Sequence, residues 1–199
     1  GDAPAWAQGK RKLGYAVVGL GYYATQQIIP RLAQCEFAEL KALVSGTPAK
    51  LEKFGAQYRI PRTHWYDYRG YDRIRDNPDI DLVYVVLPNS MHAEYSIRAS
   101  RAGKHVLCEK PMAVTEADCE KMVAAARRAQ VKLMIAYRLH FEQANLKAIE
   151  IAQSGVLGEL RLFNALYSMQ VRDQNIRVQA DRGGGSLYDI GIYCINASR

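Results

Sequence analysis

The chain has 199 residues, a formal charge of +7, and is 49% apolar and 24% charged. That length suits one domain and part of another, with the composition of an ordinary globular chain. No apolar run reaches the roughly 20 residues of a membrane helix, and the basic residues are spread along the chain without interleaved aromatics, so the excess charge reads as a solvated surface or a store for a small anionic ligand, not as a nucleic-acid face.

The first element in chain order is "GYAVVG" (Gly14–Gly19), a short apolar run closed by glycine and read as a strand. A helix over residues 22–34 follows, with Pro30 expected to kink or shorten it. "AELKALVS" (Ala38–Ser45) is a second strand. Thr47-Pro48 then reads as an N-cap followed by proline at the first helical position, opening a helix to about Gln57. A short strand near Thr63–Tyr66 and a helix over Tyr71–Asp76 come next. "DLVYVVLP" (Asp81–Pro88) is nearly all apolar, as a strand covered on both faces is. A helix over Ser90–Ala102 ends at Gly103, "KHVLCEKP" supplies a strand ended by Pro111, and Thr115 with Asp118 caps a helix over Glu116–Ala129. "VKLMIAYR" is a further strand.

Strands alternating with helices predict a parallel, doubly wound α/β domain over residues 12–138. After it come a helix of about Phe141–Ser154, an alternating strand "ELRLFNALYSMQV", a glycine-rich turn "RGGGS" and a final helix. Residues 139–199 therefore read as the start of a second, α+β domain, incomplete because that strand's apolar face lacks partners in the sequence. Residues 1–11 read as an N-terminal arm.

Gly19-Leu20-Gly21-Tyr22-Tyr23-Ala24 is G-x-G-x-x-A between a strand and a helix. In that setting the first glycine makes the tight turn and the second admits a pyrophosphate. The small alanine lets helix and strand pack closely, and the helix start offers its unpaired amides to the anion. The carboxylate that bonds an NAD ribose is missing from the end of the second strand, where "VSGTPAK" places Ser45, Gly46, Thr47 and Lys50. Hydroxyls, a bare amide and a cation suit a ribose 2′-phosphate, so NADP is expected over NAD.

Two more loops end strands on the same edge of the sheet, where ligands of such folds bind. One carries Leu87, Pro88, Asn89 and His92; the other carries Glu109 and Lys110. His92 has two open readings, a neighbour of the nicotinamide or a packing residue. Asp189 and Tyr193, four apart on the final helix, share a face. If Lys110 meets Tyr193, an ammonium beside the phenol would lower its proton affinity and make a proton-transfer pair. The histidines lack metal-ligand spacing. Cys35, Cys108, Cys119 and Cys194 lack C-x-x-C spacing and read as small buried apolar residues. Gly1 stands where a Met would, which a removed export signal would explain, so cytoplasm and periplasm both stay open.

"VVGLGYYA", "ALVSG", "VLPNSMHAEYSIRASRAGKHVLCEKPMA", "KLMIAYR" and "GGGSLYDIGIY" together resemble the glucose–fructose oxidoreductase / inositol dehydrogenase family, nearest to its glucose–fructose oxidoreductase branch. The resemblance implies a Rossmann domain and a second domain whose open sheet forms a homo-oligomer interface. It implies that Lys110 lies beside the nicotinamide and the reacting sugar carbon, with Asp189 and Tyr193 across the substrate and Tyr193 as acid/base. Glu109, Tyr137 and Arg138 fall at pocket-lining positions. The implied reaction is oxidation of an aldose to a lactone by NADP, then reduction of a second sugar by the retained cofactor, which the arm helps to hold. A dehydrogenase that releases its cofactor, and a non-catalytic dinucleotide sensor, are the alternatives. The stretch between Gln174 and Gly183 departs from the branch pattern: it is shorter, without the tryptophan–arginine pair expected near the nicotinamide.

Overall fold

The computed structural model describes residues 11–198, so all of the expected arm but Arg11 lies outside the described residues. Six strands form one sheet: β1 Leu13–Val18, β2 Ala38–Val44, β3 Trp65–Tyr66, β4 Leu82–Val85, β5 His105–Cys108 and β6 Leu133–Ile135. Their spatial order is β3-β2-β1-β4-β5-β6 and every pairing is parallel. This is the doubly wound arrangement expected of the alternation. Its order reverses between β1 and β4, which opens a crevice at their carboxyl ends.

Period-two alternation divides the core. Ala16, Val18, Val44, Val83 and Val85 enter one apolar layer with Tyr71, Ile74, Tyr95 and Met122. Val17 and Leu43 enter the opposite layer with Ala24, Ile29, Leu51 and Phe54. A fully buried side chain of this size contributes roughly 1.5–3 kcal/mol, so the two-sided burial of β1 makes it the sheet's anchor. Both oxygens of Asp81 accept from the Arg11 guanidinium, at 2.6 and 2.7 Å, which ties the chain entering β1 to the start of β4.

The helices are α1 Ile29–Leu32, α2 Pro48–Gln57, α3 His92–Arg101, α4 Glu116–Arg128, α5 Gln143–Gln153 and α6 Ile192–Ala197. Thr115 caps α4 as expected, its hydroxyl accepting from the Asp118 amide at 3.2 Å. Thr47 takes the N-cap place of α2 without a side-chain cap bond. The expected first helix instead runs through a wide π-turn, Ala24–Ile28, into α1. Pro30 has no N–H for a regular turn, and the Ile29 amide reaches back five residues to Ala24 O. Tyr71–Asp76 is a 3₁₀ segment rather than an α-helix.

Two expectations fail. Residues 159–171 form no strand: a ladder needs a neighbouring strand, and the described residues give this segment none. Leu160, Leu162, Phe163 and Leu166 are accordingly exposed. Of the cysteines, only Cys108 is fully buried, and Cys35 is exposed beyond α1. No helix among the described residues is long and apolar enough to cross a membrane.

Candidate active site

The turn after β1 has the geometry its glycines imply. Gly19 adopts φ +94°, and a Cβ there would drive into the Val86 carbonyl and Leu87. Gly21 faces open space, where a ligand backbone can approach. Leu20 and Ala24 are buried against the sheet, while Tyr22 is 79% exposed and Tyr23 half-buried. The following helix begins here, so its first amides have no partner within it and are available to an anion beside the open face of Gly21.

At the end of β2, Ser45 is buried and its Oγ accepts from the Thr47 amide at 3.1 Å. Gly46, Thr47 and Lys50 are exposed beside it, and the first turn of α2 contains no acidic residue. The residues present thus fit a dinucleotide whose ribose carries a phosphate: an open glycine, a helix start, and a cation with hydroxyls where a carboxylate would repel.

The second loop behaves differently from expectation. Leu87 is buried and lies beneath Gly19, and Pro88 stays partly exposed at the crevice edge. His92 does not face the crevice. It is 1% exposed, its Nδ1 lies 2.7 Å from the Pro111 carbonyl and its Nε2 lies 2.9 Å from the Leu87 carbonyl. With both ring nitrogens spent, it joins the two crevice loops from behind. Burial, aided by the Lys110 ammonium, holds its pKa below the ordinary value even though both carbonyls favour a protonated ring. Asn89 is also committed: its amide nitrogen donates to the Gly183 carbonyl at 2.8 Å. Gly183, at φ +73°, packs so closely on Asn89 and Val114 that a Cβ would overlap Val114. Asn89 therefore docks the glycine-rich turn onto the Rossmann part.

That docking brings the final helix to Lys110. The helix opens with a π-turn, Leu187–Gly191, before α6. Lys110 Nζ donates to the Asp189 backbone carbonyl and lies 3.1 Å from Asp189 Oδ1, with side chains 10% and 13% exposed. The same ammonium sits 4.8 Å from the centre of the Tyr193 ring. Lys110, Asp189 and Tyr193, expected from opposite ends of the chain, do meet. The expected chemistry of that meeting is corrected: Lys110 addresses the face of the ring, and the Tyr193 phenol is pushed up to about 12 instead of down. Burial is the chief cause and the nearby Glu109 carboxylate the second, against a smaller opposing pull from Arg138. Glu109 is itself raised by burial; it accepts from the Tyr84 hydroxyl at 2.6 Å and from the Lys110 amide at 3.3 Å. Arg138 is exposed on the same rim, and Tyr137 packs edge-on against His140.

Three residues join the site without having been singled out from sequence. Tyr84 rises from β4 to hold Glu109, Tyr167 stacks on Tyr193 at 5.2 Å, and Arg177 Nε lies 2.9 Å from Asp189 Oδ2. A tyrosine tip inside the aliphatic run of β4 was a usable signal for the first. The others depend on how residues 159–186 fold back, which no local pattern reports. Among the described residues, no three His, Cys, Asp or Glu side chains gather as a metal-holding group.

An open parallel sheet with a glycine turn at its switch point, facing a lysine–aspartate–tyrosine cluster, defines a dinucleotide-dependent oxidoreductase architecture. Residues 13–137 match the Gfo/Idh/MocA oxidoreductase family with NAD-binding Rossmann fold, and residues 145–199 match the Gfo/Idh/MocA C-terminal domain; the chain belongs to this family. It is 52% identical to the aldose–aldose oxidoreductase of Caulobacter crescentus, solved with glycerol, over 95% of this chain and 57% of that one, with a TM-score of 0.87. It is 33% identical to a 3-ketoreductase of Actinomadura kijaniata solved with NADP and TDP-benzene, over 94% and 57% of the two chains, TM-score 0.83. It is 36% identical to the dTDP-3,4-didehydro-2,6-dideoxy-alpha-D-glucose 3-reductase of Saccharopolyspora spinosa, over 96% of this chain and 56% of that protein. The chain thus spans about half the length of the curated relatives it matches.

Proposed function

We propose that the protein is an NADP-dependent oxidoreductase that oxidises an aldose at its anomeric carbon to a lactone and then reduces a second sugar with the retained cofactor. The observation that carries this reading is the cluster of Lys110, Asp189 and Tyr193 at the carboxyl edge of the sheet. The likeness to an aldose–aldose oxidoreductase supports the substrate class. Ser45, Gly46, Thr47 and Lys50, with no acid at the end of β2, support NADP, as does the NADP-bound ketoreductase relative.

Bound at the crevice, the nicotinamide supplies the hydride acceptor and donor. The chain's own residues manage the proton and the charge. In the oxidation the aldose loses a hydride from carbon and a proton from its hydroxyl; in the reduction a second sugar gains both. Tyr193 enters the oxidation as phenolate, takes the hydroxyl proton there and returns it in the reduction, and its high proton affinity suits holding the proton between the half-reactions. Lys110 carries the positive charge that a developing alkoxide requires, and Asp189 fixes its direction. Balance is then complete within the site, with no net proton or electron drawn from solvent. The division into a nucleotide domain to residue 138 and a sugar domain beyond it is part of this reading, as is association of copies through the apolar surface of the second part.

The deciding experiment gives the intact protein an aldose and a second sugar with no added nucleotide. Lactone and reduced sugar in equal amounts are expected. Turnover only when NADP is supplied would replace this reading with a dehydrogenase that exchanges its cofactor, and NAD as the sole nucleotide recovered on denaturation would overturn the NADP assignment. Light scattering tests association: a mass of one chain would remove that part.

A further inference from the structure

Asp189 is shared between two cations. Its Oδ1 lies 3.1 Å from Lys110 Nζ and its Oδ2 lies 2.9 Å from Arg177 Nε. Arg177 is held in place by its backbone. Its amide donates to Asn175 Oδ1 at 3.0 Å, and its carbonyl accepts from the Gly185 amide at 2.8 Å. Asn175, Arg177, the glycine turn and Asp189 thus form one folded unit whose charged end faces Lys110.

The donor count at Lys110 shows what this sharing does. An ammonium has three N–H donors. Asp189 takes two, through its backbone carbonyl and Oδ1. The third, beside the face of the Tyr193 ring and without an oxygen partner, is left for the oxygen of a reacting sugar as long as Oδ2 is engaged elsewhere. Freed from Arg177, Oδ2 would turn toward the same ammonium, because among the described residues Lys110 and Arg177 are the cations paired with this carboxylate and a half-buried acid seeks its nearest partner. The third donor would be lost, and the net positive charge at the site would drop by one.

We infer that Arg177 is a positioning residue that occupies Asp189 Oδ2 and so keeps one N–H of Lys110 free for the substrate oxygen. This rests on the proposed sugar chemistry for its consequence, but not for its geometry, so the two are tested apart. In the intact protein, Arg177→Met and Arg177→Lys are compared with the parent in three measurements. The hydride step, followed in a single turnover of bound nucleotide with an aldose, falls roughly tenfold to a hundredfold in Arg177→Met, as a small misplacement of a reacting group does. The lysine variant recovers part of the loss. Nucleotide affinity, read by fluorescence titration, stays unchanged. The rate at which an amine reagent modifies Lys110 in the nucleotide-free protein, read by mass spectrometry, drops in Arg177→Met because Asp189 closes over the ammonium.

An unchanged modification rate overturns the inference whether or not any sugar reacts. Weaker nucleotide binding with an intact hydride step makes Arg177 a cofactor clamp and also overturns it. A lowered melting temperature with both other readouts unmoved reduces Arg177 to a fold-stabilising residue. If the parent moves no hydride with any aldose while Lys110 is still shielded in Arg177→Met, the sugar reading fails and the inference about Asp189 stands.

Discussion

The Tyr193 phenol owes its high proton affinity to burial first and to the Glu109 carboxylate second. Glu109→Gln removes a negative charge while keeping a group that Tyr84 can still bond. The Tyr193 pKa then falls from about 12 toward the ordinary phenol value near 10. Phenolate absorbance, with Tyr193→Phe as the subtraction, reads the shift directly; an unmoved titration would show that burial alone sets the value. At this scale the sequence was informative where a residue's chemistry is carried by its own backbone position. Gly19 adopts φ +94° and Lys110 lies two residues beyond the end of β5, and both follow from local pattern. Arg177 and Tyr167 stayed hidden because their partners, Asp189 and Tyr193, lie far along a path that only folding fixes.

Elements rather than single groups govern the crevice. His92 ties the loop after β4 to the loop after β5 through two carbonyls. The neutral ring donates its one N–H to one of these carbonyls, so His92→Leu leaves that carbonyl buried without a donor, at a cost of about 1–3 kcal/mol. Its folded-state pKa is depressed, so the unfolded chain binds the proton first as pH falls below about 6.5. Stability from this residue is therefore present above that pH and is lost progressively on acidification. Chemical denaturation at several pH values tests this: the parent weakens below neutrality, and His92→Leu shows a flatter dependence. Equal slopes for the two proteins would remove His92 as the source. Gly19→Ala makes the companion test in the turn after β1, costing about 1–3 kcal/mol from the positive φ and the overlap with Val86, with loss of nucleotide binding by the same fluorescence titration. The strands of the sheet were legible because alternation and β-branched runs are local signals. Pro30 signalled a break in the first helix though not its π form, the π-turn at Leu187–Gly191 had no such local signal, and residues 159–171 carried a strand pattern without a strand to pair with.

Across the whole molecule, one contact does much to set the relation between the nucleotide part and the rest: Asn89 to Gly183, with Gly183 pressed on Val114. Gly183→Ala would force the glycine turn off this seat. Asp189 would then draw away from Lys110, and the hydride step would fall by roughly tenfold or more while nucleotide affinity is retained. Parallel loss of both would instead mean general unfolding, which circular dichroism separates. The change of pattern after Arg138 was legible in the sequence, but not that the glycine turn packs back onto the loop after β4.

Lys110 and Asp189 stand 79 positions apart in the chain. On the ribosome, the residues expected to hold the nucleotide emerge well before Asp189, the ion-pair partner of Lys110. Under the proposed reading, the nascent chain completes its expected nucleotide crevice before it supplies Asp189, the carboxylate that pairs with Lys110.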